Sequence, residues 1–162
     1  MPPNAPTLSW KVDGCKPLED GCPWDETSYA AAGGGHLEVL KWARVQLHNC
    51  PFDRWTCASA AEGGHLDVLK WLREVSCPWD AMTCQLAAAG GHLAVLQWAR
   101  EHDCPWDENT CHATAVGGHL EVLQWAVENG CPWDGRDEAF VRGTARMFRH
   151  QDMLTWLDAT GE

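Results

Sequence analysis

Between Leu120 and Glu128 the residues Leu120, Val122, Leu123, Trp125 and Ala126 form a broad apolar stripe, while Glu121, Gln124 and Glu128 point the other way. That spacing is the rhythm of an amphipathic helix. The same wording, His-Leu-x-Val-Leu-x-Trp, starts at His36, His65, His92 and His119. Ahead of the stripe at 120–128 lies a second run, Thr110-Cys111-His112-Ala113-Thr114-Ala115, framed by Pro105 and Asp107 in front and Gly117-Gly118 behind. Proline holds the preceding residue extended, and the aspartate can accept from the unpaired amides of a helix that starts at Glu108. The glycines permit a tight reversal into the second helix, which Asn129-Gly130 ends. The pattern predicts two short helices per unit. About six residues then remain before the next aspartate cap, too short a span for a packed β-hairpin.

The unit recurs. Cys-Pro-Trp-Asp begins at Cys22, Cys77, Cys104 and Cys131, with Cys50-Pro51-Phe52-Asp53 in the remaining slot, at steps of 28, 27, 27 and 27 residues. Gly-Gly-His-Leu follows in each of the first four units, at Gly34, Gly63, Gly90 and Gly117. A fixed period in this range means stacked modules, each too small to bury its own apolar face alone. The expected organisation is an N-terminal half-unit or cap over 1–21, units at 22–49, 50–76, 77–103 and 104–130, and a C-terminal capping unit over 131–162. In that last unit Asp137, Glu138 and Arg142 enter the first helix. His150 to Trp156 restores the His-to-Trp spacing after a four-residue insertion, so a charged cap is expected.

Ala60-Ala61-Glu62-Gly63-Gly64-His65-Leu66-Asp67-Val68 resembles the ankyrin repeat, whose units carry Thr-Pro-Leu-His-x-Ala-Ala-x-x-Gly-His-Leu. The likeness covers roughly residues 20 to 158, with departures: Trp55-Thr56 stands at the Thr-Pro position, Cys57 at the leucine, and Trp71 at a second-helix leucine. The 27-residue unit is also shorter than the family's 33, and the missing residues fall where ankyrin arrays project a β-hairpin finger. Short Cys-Pro-Trp-Asp arrays of this kind look like those multiplied in large DNA viruses and some single-celled eukaryotes. The resemblance implies an all-α, ankyrin-like helix-turn-helix solenoid with shortened or absent fingers. It further implies histidines that tie each inter-helix turn, and a protein partner gripped on the concave surface of the first helices.

Charge narrows the partners. Twelve basic against 23 acidic side chains leave −11 in 162 residues, which repels nucleic acid and anionic membrane surfaces. No stretch approaches the roughly 20 apolar residues of a membrane span, and the start has no secretory pattern. A monomeric protein of a reducing intracellular compartment, cytoplasmic or nuclear, is expected.

The candidate chemistry resolves mostly into packing. The nine cysteines are too many to ignore, but all except Cys15 fall into two registers, one opening each unit and one at Cys57, Cys84 and Cys111. Equivalent residues of stacked helices lie about 8–10 Å apart, beyond the roughly 7 Å a disulfide allows. Buried free thiols are therefore expected, with pairs seven apart, such as Cys50 and Cys57, the ones to inspect. Zinc needs about four ligands around one ion, whereas His36, His65, His92 and His119 come one per unit, so no metal and no cofactor is expected. A metal- or haem-binding module using Cys and His is the alternative function, and a spacer within a longer array a further one. Of eleven tryptophans, one set (Trp42, Trp71, Trp98, Trp125, Trp156) lies on the second-helix stripe. The loop set (Trp24, Trp79, Trp106, Trp133, with Phe52) is expected to staple loop to helix, since no basic residues accompany it as base stacking would require. Ser28, Ser59 and Ser76 share no register and no phosphate loop is present, so no enzyme is expected.

If repeated positions are scaffold, positions that differ between copies are free for a target. Those are Glu26 in the first unit, then Arg54, Trp55 and Ala58, then Ala81, Met82 and Gln85, then Glu108, Asn109 and His112. Offsets of three and four put each trio on one side of its helix, so stacked units would present them as one strip. Trp55, Met82 and Arg54 are the expected anchors.

Overall fold

The computed structural model describes residues 24–46 and 52–160, among which there are ten helices and no strand. The expected all-α class is what they show. The half-unit expected over 1–21 and the cysteines Cys22 and Cys50 lie outside the described residues. The helices come in pairs: α1 (Trp24–Gly33) and α2 (Leu37–Gln46); α3 (Arg54–Glu62) and α4 (Leu66–Glu74); α5 (Ala81–Ala89) and α6 (Leu93–Glu101); α7 (Glu108–Gly117) and α8 (Leu120–Glu128); α9 (Gly135–Phe148) and α10 (Gln151–Thr160).

The aspartates start the odd-numbered helices. Asp53 accepts from the amides of Trp55 and Thr56, Asp80 from that of Met82, and Asp134 forms a reciprocal capping box with Asp137. Glycine pairs stop the first four of them, and α9 ends at Arg149, itself in left-handed backbone at φ +61°. Gly63 and Gly90 still have right-handed backbone, and the glycines that follow, Gly64 and Gly91, turn the chain at φ +74° and +73°.

The odd helices form a row, α1 on α3, α3 on α5, α5 on α7 and α7 on α9, and each even helix leans on its own partner. A helix flanked on two sides can carry only small residues there. Thr56, Cys57, Ala58, Ala60 and Ala61 of α3 are all fully buried, as are Thr83, Cys84, Ala87 and Ala88 of α5, and Thr110, Cys111, Thr114 and Ala115 of α7. The even helices bury a single stripe of larger groups: Val68, Leu69 and Leu72; Val95, Leu96 and Ala99; Val122, Leu123 and Ala126. Each such leucine contributes about 1.5–3 kcal/mol, so the even helices supply much of the burial and the odd helices the register.

The Gly-Gly-His turn locks one unit to the next. A Cβ on Gly64 would lie 2.5 Å from His92 Nδ1, and one on Gly91 2.4 Å from His119 Nδ1. The imidazole therefore occupies the space where a side chain of the preceding turn would be. His65 Nε2 lies 3.0 Å from the Gly33 carbonyl and His92 Nε2 2.8 Å from that of Glu62; because a carbonyl only accepts, Nε2 carries the proton. The tie expected within each turn thus runs between units, and these histidines make no side-chain bond at the starts of their own helices.

The loop aromatics pack as expected. Phe52 meets Trp71, Trp79 meets Trp98, and Trp106 meets Trp125, each edge to face at 5.7–5.9 Å. From the preceding even helix, Arg73 and Arg100 lay their guanidinium groups over Trp79 and Trp106 at 4.3 Å and donate to the carbonyls of Cys77 and Cys104. In the C-terminal unit, helix α9 leaves Phe140, Met147 and Phe148 exposed among the described residues. The cap thus presents these apolar side chains beside its charged ones, among them Arg142 paired with Glu138 and Asp158.

Two outcomes follow for urea unfolding. Gly91→Ala should lose at least about 1–2 kcal/mol from the left-handed backbone alone, and more because the His119 ring must move; parental stability would refute the interlock. Arg100→Gln should lose about 1–2 kcal/mol through the ring contact and the carbonyl bond together, whereas an unchanged midpoint would show that neither contributes.

Candidate functional site

The strip begins where the odd helices begin, because each aspartate cap fixes the next two side chains on the free edge of the row. Glu26, Arg54, Glu108 and Asn109 are exposed there, Trp55 is 44% exposed, and Ala81 and Met82 are half-buried. Arg54 Nη1 lies 3.5 Å from Asp80 Oδ2, so it leans towards the next cap. Asn109 Nδ2 donates to Asp107 Oδ2 at 3.1 Å.

Ala58 does not belong to the surface. It is fully buried, and its assignment to the strip is corrected on that ground: an offset of four from Arg54 is on the same side of an isolated helix, but in the row that side is covered by the neighbour. Counting back from the glycine pair, Tyr29, Ala58, Gln85 and His112 hold one register position. That position faces the next unit. Tyr29 Oη donates to Asp53 Oδ2 at 2.8 Å, and Gln85 Nε2 donates to both Asp107 oxygens at 2.9 and 3.1 Å. His112 Nε2 stands 2.9 Å from Asp137 Oδ1. Alanine cannot reach, and at that junction the Arg54–Asp80 pair spans the units instead. Gln85 and His112 therefore form an inner row that holds units together beneath the exposed edge.

This competition has a local consequence. Asp107, with both oxygens engaged by Gln85 and Asn109, caps no amide of α7. The equivalent threonine hydroxyls differ independently of this: Thr56 reaches Asp53 Oδ1 at 3.4 Å, whereas the buried hydroxyls of both Thr83 and Thr110 have no partner.

At the far end of the strip the starts of α7 and α9 enclose an open cleft of about 500 Å³, lined by Glu108, His112, Pro132, Trp133, Asp134, Arg136 and Asp137. The variable-position logic found Glu108 and His112 but missed the rest, which come from the next unit's loop and cap. His112 also stacks on Phe140 at 4.2 Å. Arg136 donates to Asp134 through Nη2 at 3.0 Å, and this contact holds the Asp134 carboxyl below its ordinary value.

Among the described residues no three His, Cys, Asp or Glu side chains are placed to hold a metal ion. The six described cysteines are free and buried. Cys77, Cys104 and Cys131 donate to the carbonyls of Asp53, Asp80 and Asp107 in the preceding unit at 3.2, 3.5 and 3.3 Å. The neighbouring thiols to inspect run across the two registers: Cys57 with Cys77, Cys84 with Cys104, Cys111 with Cys131. In each, the partner thiol and then burial push the helix cysteine far above its usual range, so the nucleophilic thiolate is scarce. Iodoacetamide at pH 8 should accordingly label Cys57, Cys84 and Cys111 only after denaturation; rapid labelling of the native protein at these positions would contradict this picture.

No helix among the described residues is long and apolar enough to cross a membrane. No protein-family model and no curated protein matches the chain.

Proposed function

We propose that the chain is a non-enzymatic, ankyrin-like repeat module that holds a protein partner along the edge formed by the starts of its odd helices. The observation that carries this is the division of labour within each unit. Residues repeated from copy to copy are consumed in stacking, whereas Arg54 and Trp55, Ala81 and Met82, and Glu108 and Asn109 differ between copies and stand on one accessible edge. Nothing in the fold explains a tryptophan 44% exposed at residue 55, and a ring on a rigid helix start is the kind of group that dominates an interface at little entropic cost. In an ankyrin-like array this edge belongs to the concave side. The net charge of −11 favours a basic partner surface and speeds its approach.

The test is a paired substitution. Trp55→Ala with Met82→Ala should leave the circular dichroism spectrum and the unfolding midpoint unchanged, while binding to a partner isolated with the parent protein falls by at least about 30-fold, as loss of an anchor implies. Glu74→Ala, at the end of α4, serves as the control and should bind normally. Undiminished binding by the double variant would reject the edge as the site.

A further inference from the structure

Among the described residues a guanidinium is laid over the loop tryptophan in two successive units, and the next unit breaks the arrangement. Trp79 is covered by Arg73 and Trp106 by Arg100, each at 4.3 Å. One period further on the arginine position holds Val127, whose side chain packs against the C-terminal core. Trp133 consequently has no cation over its ring among the described residues. Its half-buried side chain forms instead one wall of the cleft between α7 and α9.

The remaining walls are acidic. Glu108, Asp134 and Asp137 face a single guanidinium, that of Arg136, which is already turned onto Asp134. Asp137 is held by His112 and by the Asp134 amide. Glu108 is exposed and makes no hydrogen bond or ion pair among the described residues. An indole wall, an unengaged carboxylate and a surplus of negative charge, in a cleft open to solvent, make up a receptor for a long cationic side chain.

We propose that this cleft receives an arginine side chain presented by the partner protein, with the guanidinium against Trp133 and a charge-assisted bond to Glu108. This rests on the protein-binding function proposed above and gives the partner a chemistry. Arginine fits better than lysine because a planar guanidinium can stack on an aromatic face and bond a carboxylate in its own plane at the same time. It is also the cation that the two preceding units place on the equivalent ring.

The experiment needs no identified partner. The full chain, isotope-labelled at the tryptophan indole nitrogens, is titrated with Nα-acetyl-arginine methylamide, and the Trp133 resonance is assigned through Trp133→Leu. A saturable shift at Trp133 is expected, with Nα-acetyl-citrulline methylamide, which has nearly the same shape without the charge, at least about tenfold weaker. Glu108→Gln, an exposed substitution that leaves the fold intact, should weaken the arginine probe severalfold. Free arginine, whose carboxylate meets the acidic walls, should bind more weakly than the capped probe. No shift at Trp133, equal response to citrulline, or indifference to Glu108→Gln would overturn the proposal, as would free arginine binding as well as the capped form. Because Trp55 and Met82 play no part in this titration, failure here is distinguishable from failure of the edge as a partner site.

Discussion

The close approach of the odd helices is the constraint on which the rest of the structure depends. Each of α3, α5 and α7 lies between two neighbours, so more than a single stripe of its surface must be dry. Only alanine, threonine and cysteine satisfy that without forcing the row apart, since a packed interior has no room for an extra methylene. The thiols suit the same space: they fill it as small hydrophobes while donating weakly to the preceding unit's carbonyls.

From that constraint follows the division between locked and free positions. The histidine ring can stack over the preceding turn only because a glycine there has left-handed backbone and no Cβ. Asp53 and Asp80 are each shared between amides of their own helix and a side chain from the unit before, Tyr29 and Arg54 respectively. Where Gln85 takes both oxygens, α7 goes without its cap bond, so inter-unit cohesion and helix initiation draw on one carboxylate. What stays unclaimed is the short stretch after each cap, on the one edge no neighbouring helix covers.

Interruptions of the pattern are the informative places. Val127 in place of an arginine leaves Trp133 without a cation among the described residues, and α9, four residues longer than α7, exposes Phe140, Met147 and Phe148. Both lie at the C-terminal end of the row. The last imidazole of the series, His150, also has its buried Nε2 without a partner there.

The helices, their starts at aspartate, their stops at glycine and the stripe of the even helices were legible in the sequence, because each depends on residues within a few positions of one another. The packing of the loop aromatics was legible too, but not the guanidinium groups over Trp79 and Trp106: no basic companions were expected, and Arg73 and Arg100 reach these rings from the end of the preceding even helix. Which neighbour each repeated group meets was not. Helical spacing put Ala58 on the surface, and it is buried; the histidines bind across units instead of within their turns; the neighbouring thiols run between the two cysteine registers, twenty residues apart as in Cys57 and Cys77, and not at a spacing of seven. All three depend on how one unit is set against the next, and Trp133 joins Glu108 in a cleft for the same reason. Periodicity states that equivalent residues are stacked, but the offset between stacked units is chosen by packing, and only the tertiary structure records that choice.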